Sequence, residues 1–419
     1  MGHTVPTPAG GYRANWRDAA GRQRSKTFKT KREANAYLAE VETTLNRGTY
    51  VDPHAGRLRF GAYAARWLAA RNDEITTAAR DASIMRNHVV ARWGQTPLGK
   101  IDHLAVQQWV TELGGRLSPA TVAECHRLTS AVLRTAVRDR IIGANPCEGV
   151  RLARRRRKDT DDQVISRAEL TGQLLPAIPD RYRALVALAG GTGLRWGECA
   201  GLRWDAIDLD GRTVRVVRVA VEVSGRVSDK PYPKSRAGRR MVPLPGFVVE
   251  LLAEHRRQYL PGQLGLVFTS RTGAPVRRTT FRAKVWRPSL VRAGLLGKIV
   301  QACPHQYLAH WQDAAGAEWS KEFTTDRDAV AHLVRHAAGG LRFHDLRHSY
   351  ATWLVSAGVP INDVSAVMGH EQTSTTLDRY THPSQDRDSR VRTVFADFSL
   401  TEPPEQGPET EQEPDDVGS

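Results

Sequence analysis

The feature that most restricts how this chain can fold is that one stretch of it occurs twice. Shifted by 295 positions, residues 12–38 (YRANWRDAAGRQRSKTFKTKREANAYL) align without a gap to residues 307–333 (YLAHWQDAAGAEWSKEFTTDRDAVAHL), with 15 of 27 positions identical. Tyr12/Tyr307, Trp16/Trp311, the Asp-Ala-Ala-Gly run, Ser25-Lys26/Ser320-Lys321, Phe28/Phe323 and Leu38/Leu333 all recur. A repeat of this length is one supersecondary unit. Whatever fold residues 8–45 adopt, the segment 303–340 must adopt it again, as an insert in a larger domain. In the first copy, β-like stretches at Tyr12–Arg17 and Ser25–Lys29 flank the turn at Gly21 and lead into a helical stretch from about Lys31 to Leu45. That pattern predicts a small three-stranded β plus helix module.

The charge did not travel with the pattern. Across the aligned window the first copy has eight basic and two acidic residues, a net +6, whereas the second has two basic and five acidic, a net −3. Binding to a polyanion depends on released counterions, so the loss of nine charges removes most of that affinity. The first copy is expected to bind DNA through Arg13, Arg17, Arg22, Arg24 and Lys26, as a β-ribbon in a groove can. The second is expected to serve as a protein contact or a spacer.

The same partition sharpens the whole-chain figure. The 419 residues carry 61 Lys plus Arg against 45 Asp plus Glu, a formal +16. Residues 399–419 form an acidic, Pro- and Gln-rich tail expected to be disordered; removing its seven negative charges leaves residues 1–398 at about +23. Five consecutive basic residues, Arg154, Arg155, Arg156, Arg157 and Lys158, sit in a linker at 151–162 and repel one another unless they face phosphate or solvent. No run of about 20 apolar residues suggests a membrane span, and the start lacks the apolar core of a signal peptide. The four cysteines, Cys125, Cys147, Cys199 and Cys303, lie far apart without a CxxC pair. They fit buried thiols in a reduced, cytoplasmic setting better than a disulfide framework.

Between the module and the linker, residues 56–150 read as all-helical. Phe60, Tyr63, Trp67 and Leu68 share one helix face, and Val106, Trp109, Val110 and Leu113 share another. Ser118-Pro119 makes a helix start before Val122, Cys125, Leu128, Val132 and Leu133. Residues 163–398 mix helices, around 181–190, 196–203 and 345–357, with a half-buried strand whose valines alternate at Val217, Val219, Val221 and Val223. The fold class expected is multidomain and mainly α, with an α+β domain that holds the inserted copy.

The chemistry-bearing motifs fall in the α+β part. They are Gly191-Thr-Gly-Leu-Arg-Trp-Gly-Glu198, Pro233-Lys-Ser235, Phe343-His-Asp-Leu-Arg-His-Ser-Tyr-Ala-Thr352, Met368-Gly-His370 and Asp378-Arg-Tyr-Thr-His382. His344 and Arg347, three apart, share a helix face, and Asp345 is placed to cap that helix. Glu198, three residues after Arg195, either orients that guanidinium or is a structural carboxylate, the second being favoured. Cys303, His305, His310, His332 and His336 cluster near the insert, but the first copy has Asn15 and Tyr37 where the second has His310 and His332. The small fold therefore needs no metal there, and none is expected.

The order Arg195, Lys234, His344-x-x-Arg347, His370, Tyr380 resembles the active-site pattern of the tyrosine recombinase (phage integrase) family, matched at all six positions. The resemblance implies an arm-binding-like domain at 1–50, a helical core-binding domain at 56–150 and a catalytic domain at 163–398, and the insert is the one departure from it. It implies a site-specific recombinase that cleaves and rejoins DNA through a 3′-phosphotyrosyl intermediate, with core and arm attachment sites as partners. It also implies Tyr380 as nucleophile, Lys234 as proton donor to the departing 5′ oxygen, and a homo-tetramer on DNA docked through 387–398. Accessory directionality and DNA-bending proteins and a nucleoid location would follow; no cofactor or membrane is implied. Two alternatives compete: a topoisomerase, which has no use for a second DNA address, and a DNA-binding regulator with a relic site, which the intact six-residue set argues against. A metal nuclease needs a carboxylate cluster, and nucleophilic serine chemistry finds no GxSxG motif.

Overall fold

The computed structural model describes residues 2–18, 21–48, 50–52, 54–153, 163–230 and 239–369, without the side chain of Gln263. Of the residues singled out above, Arg154 to Lys158, Lys234, His370, Tyr380, the segment 387–398 and the tail 399–419 lie outside the described residues. Two compact units emerge: Met1–Asp161 with Val221–Ser228, and Asp162–Ala220 with Asp229–Ser419.

In the first unit, β1 (His3–Pro6), β2 (Tyr12–Arg17) and β3 (Gln23–Phe28) form an antiparallel sheet in that order, followed by α1 (Lys31–Asn46). Alternation along β2 sends Ala14 and Trp16 to the helix side, where they pack with Ala34, Leu38, Val41 and Tyr50. Thr30 starts α1 by a reciprocal cap: its hydroxyl accepts from the Glu33 N–H, and the Glu33 carboxylate accepts from the Thr30 N–H.

The rest of the Met1–Asp161 part of that unit is helical: α2 (Phe60–Ala69), α3 (Ile75–Ile84), a π-type turn, α4 (Val90–Trp93), α5 (His103–Gly114) and α6 (Pro119–Arg138). The stripes at Val106–Leu113 and Val122–Leu133 go fully into one core, with Phe60 and Tyr63; Trp67 and Leu68 pack at its edge. Ser118 Oγ accepts from the Thr121 N–H at 3.3 Å, as its position before Pro119 predicts. The helix ends at Arg138, ahead of Asn145-Pro146. One feature was invisible in the sequence. The buried carboxylate of Asp81 gathers Arg71, Arg80 and Arg127 at 3.1, 3.0 and 3.1 Å, tying α3 to α6.

The second unit opens with α7 (Arg167–Glu169) and α8 (Leu175–Ala177), on either side of a π-type turn, then α9 (Asp180–Thr192) and α10 (Trp196–Ala200). Strands β4 (Ile207–Asp208), β5 (Thr213–Val216) and β8 (Arg240–Pro243) make one sheet; β6 (Val219–Val223) and β7 (Arg226–Lys230) make a hairpin, of which Val221–Ser228 belongs to the first unit. The single strand expected through Val217 is corrected: the backbone breaks at 217–218, and β6 is evenly half-buried rather than alternating. Helices α11 (Gly246–Gln258), α12 (Arg278–Phe281) and α13 (Arg287–Arg292) follow.

Then comes the repeat: β9 (Lys298–Cys303), β10 (Gln306–Gln312), β11 (Glu318–Phe323) and α14 (Asp326–His336). Its first strand begins before residue 303, the boundary read from the sequence, because identity fades there while strand pairing does not. The registers match at the 295-residue offset: Tyr12 pairs with Phe28 and Tyr307 with Phe323; Asn15 pairs with His3 and His310 with Lys298. Even the aromatic cluster is kept. Tyr37 meets Trp16 and Phe28 at 5.4 and 5.1 Å, and His332 meets Trp311 and Phe323 at 4.8 and 5.1 Å.

The insert is not a loose appendage. Ala309, Ala329, Val330 and Leu333 belong to the same continuous core as α9 and α13. Arg287 of α13 donates to the carbonyls of Val334, Ala337 and Gly339, closing the end of α14. The unit ends with α15 (Asp345–Ser356) and α16 (Ile361–Met368). Three cysteines are buried as expected, but Cys303, at the end of β9, is exposed.

Candidate active site

Helix α9, buried from Ala184 to Thr192, stops at Gly193, whose φ of +64° is left-handed. A Cβ there would lie 2.5 Å from Tyr350 Cδ1, so backbone conformation and close packing both require glycine. The chain then turns extended at Arg195 and enters α10. Glu198, in the first turn of α10, reaches back three residues: Oε2 accepts from the Arg195 N–H at 2.8 Å and Oε1 from Arg195 Nη1 at 3.0 Å. The Glu198 side chain is 3% exposed and that of Arg195 40%. The carboxylate is thus both buried and bonded to the guanidinium, which combines the two options the sequence left open.

Glu198 has a second cationic partner that sequence reasoning missed. Arg240, the first residue of β8, donates Nη2 to Oε2 at 3.0 Å and Nη1 to Oε1 at 3.2 Å. Its side chain is 6% exposed. A signal was present, since Arg240 shares its strand parity with buried Val242, and a charge on the inward face of a strand calls for a buried counter-charge. Burial alone would raise the Glu198 pKa. The hydrogen bonds and charge of Arg240, with the charge of Arg195, outweigh it and hold the carboxyl below its ordinary value.

The His344-x-x-Arg347 motif opens α15. The expected cap is corrected: His344, with helical backbone angles, occupies the capping position without a side-chain cap bond, and Asp345 is the first helical residue. The buried Asp345 carboxylate instead reaches back to Arg342, accepting from its backbone N–H at 2.7 Å and from its guanidinium Nη2 at 2.6 Å. His344 is exposed, its ring edge-on to that of His348 at 4.9 Å. Arg347, 3% exposed, donates Nη1 to the Gly193 carbonyl at 2.6 Å and Nη2 to the Met368 carbonyl at 2.5 Å.

These pieces meet at the carbonyl end of α16. Arg240 Nε donates to the Val367 carbonyl, Arg347 to that of Met368 and Arg195 Nη2, at 3.3 Å, to that of Gly369. Three successive orphan carbonyls, at the negative end of a helix dipole, are thus each met by a different arginine. Gly369 closes the helix with a left-handed φ of +64°, and the next residue in the chain is His370. Arg195 and Arg347 are brought together with the segment leading to His370. His344 opens the same helix that carries Arg347. Lys234, His370 and Tyr380 lie outside the described residues.

The five basic residues of the first module expected to bind DNA do not share one surface. Arg13 and Arg17 are exposed on the sheet face opposite α1. Arg24 and Lys26 alternate to the helix side: Arg24 bridges Asp18 and Asp52, and Lys26 stands over the Tyr37 ring at 4.5 Å. Arg22, at the turn, pairs with Asp18 at 3.1 Å. In the second copy Arg13, Arg17, Gln23 and Thr27 are replaced by Leu308, Gln312, Glu318 and Glu322. Arg24 becomes Trp319, whose Nε1 donates to Asp313 at 2.9 Å. His310 lies on the open face while His332 packs beside Trp311 and His336 beside His332, and no group of three metal-ligating side chains forms among the described residues.

Comparison with known proteins gives a consistent result. The model of the phage integrase family matches residues 167–306 and 320–387, breaking inside the insert. A prophage phiRv2 integrase of Mycobacterium tuberculosis is 28% identical over 383 residues, covering 88% of each chain. A XerC-like tyrosine recombinase of Caldanaerobacter subterraneus is 25% identical over 397 residues, 87% of this chain and 90% of that one. Among solved structures, the Tn1549 transposon integrase in complex with a circular-intermediate DNA aligns with a TM-score of 0.59 and 18% identity, over 80% of this chain and 99% of that one. That last similarity concerns the fold.

Proposed function

The chain belongs to the phage integrase family, and from that premise we propose how its residues divide the reaction. It is a site-specific DNA recombinase, an enzyme that cuts DNA strands and rejoins them. In our reading, residues 1–50 grip arm sites, 56–150 and the linker Arg154–Arg157 grip the core site, and 163–398 perform the chemistry. The insert acts as a protein contact or spacer.

Strand exchange without loss of bond energy requires a covalent phosphoenzyme. The Tyr380 hydroxyl attacks the scissile phosphorus; the bond to the 5′ oxygen breaks and a 3′-phosphotyrosyl ester forms. A free tyrosine has a pKa of about 10, so on the order of one in a thousand is phenolate at neutral pH. His344 takes the proton, being the side chain type that titrates nearest neutrality. Lys234 returns a proton to the departing 5′ oxygen. Arg195 and Arg347 stabilise the non-bridging oxygens as charge builds, and His370 hydrogen-bonds the phosphate. The arginines supply the positive charge at the phosphate. The observation that supports this reading best is the convergence of Arg195, itself bonded to Glu198, and Arg347 on the carbonyl end of α16, one residue before His370.

We propose further that a homo-tetramer assembles on DNA through 387–398, where Val391, Val394, Phe395 and Phe398 share a helical face. Accessory DNA-bending and directionality proteins and a nucleoid location fit the same picture. The test is Tyr380→Phe on a nicked suicide duplex that carries the attachment core from the DNA flanking the gene. Covalent capture should vanish while DNA binding is retained; adducts persisting in the variant would place the nucleophile elsewhere.

A further inference from the structure

We infer that Arg240 is a positioning residue for strand cleavage, setting the Arg195 guanidinium against the scissile phosphate through the Glu198 carboxylate. The inference rests on the reading of Arg195 as a catalytic arginine and adds a residue outside the six-residue pattern.

The geometry is a relay through one carboxylate: the Arg240 guanidinium forks onto both oxygens, while Arg195 gives its Nη1 to Oε1 and its backbone N–H to Oε2. Glu198 is 3% exposed and its two oxygens are shared: each takes one bond from Arg240 and one from Arg195. A carboxylate with a single exposed arginine partner could swing with it. Here the opposite side is held by a guanidinium whose Nε is itself anchored on the Val367 carbonyl. Arg240 is 6% exposed against 40% for Arg195, so the buried cation is the fixed end and the open cation the working end. Charge argues the same way. One carboxylate between two arginines leaves a net positive charge at the site, and the Arg195 side faces outward, where an anionic phosphate can reach it. Arg240 also begins β8, the strand that follows the segment bearing Lys234, so the anchor is built into the scaffold rather than a loop tip.

The planar fork explains why the residue is arginine. A lysine ammonium can meet Glu198 but cannot span both carboxylate oxygens and the Val367 carbonyl at once.

The experiment compares Arg240→Met, Arg240→Lys, Arg195→Ala and the double variant Arg195→Ala/Arg240→Met in the full-length protein. Single-turnover cleavage of the nicked attachment-core duplex is measured beside its Kd, at a temperature where circular dichroism shows each protein folded. Misplacing a catalytic group by about 1 Å costs on the order of a hundredfold in rate, and Arg240→Met should lose about that much with Kd unchanged. Arg240→Lys should recover part of the rate, and the double variant should cleave no more slowly than Arg195→Ala alone. A wild-type rate in Arg240→Met, a loss matched by weaker binding, or a loss that adds to that of Arg195→Ala would overturn the inference. Should Arg240→Met fail to fold, Arg240→Lys decides: slower cleavage at unchanged Kd supports it and a wild-type rate refutes it. If Arg195→Ala itself cleaves normally, the reading of the site has failed rather than the relay alone.

Discussion

A carboxylate buried between two guanidiniums is stable only while it is charged. Because Arg240 and Arg195 hold Glu198 below its ordinary pKa of 4.5 despite burial, its contribution is present above that value and lost as pH falls through the lower folded value. The melting temperature should drop as pH is lowered past about 4.5, and Glu198→Gln should flatten that part of the profile. At neutral pH, Glu198→Ala leaves a buried arginine without its anion and should cost about 3 kcal/mol, read from urea midpoints. Gly193 is a second single-residue dependency. Gly193→Ala forces a side chain into the left-handed region and against Tyr350, a cost of about 1–3 kcal/mol. It should also slow cleavage, since the Gly193 carbonyl holds Arg347. Arg195, Glu198 and the His344-x-x-Arg347 motif were legible as an ordered set of motifs. For Arg240 strand parity offered a signal of burial but not a partner, because Glu198 lies 42 residues upstream and only folding reveals the pairing.

At the scale of elements, the helical stripes and the repeated β-β-α pattern were readable because apolar spacing is a local property. The charge on a strand was only half readable. Eight basic residues in the first copy suggested one DNA-facing surface, yet the pleat sends Arg13 and Arg17 to one face and Arg24 and Lys26 to the other. Arg13→Ala and Arg17→Ala should therefore each weaken arm-site binding and lower the salt slope by about 1. Arg24→Ala should instead lower stability, because it unties Asp18 from Asp52. Filter binding across a salt series, with thermal melting, separates the two. If Arg24→Ala changes the salt slope as much as Arg13→Ala does, the assignment of faces is wrong. The strand through Val217 shows another limit: alternating valines mark a β tendency but not where hydrogen-bond partners run out.

At the scale of the molecule, the two copies of one small fold have different standing. The first closes its own core around Ala14, Trp16, Leu38 and Tyr50; the second shares its core with α9 and α13 and has its helix end capped by Arg287. An excised 298–340 peptide should be largely unfolded by circular dichroism, whereas residues 1–52 should keep ordered structure and bind duplex DNA. A stably folded excised insert that bound DNA as tightly would contradict both the shared core and the inverted charge. The sequence alone determined that this protein has two copies of a three-stranded β plus helix module, a helical domain and the ordered motifs of a recombinase. Such patterns are written in local spacing and residue order. Only the tertiary structure decided that Arg240 and Arg195 share one buried carboxylate, that three arginines close the end of α16, and that the insert is fused into the core. Each depends on groups far apart in the chain, whose meeting is set by packing and by the need to satisfy buried charge.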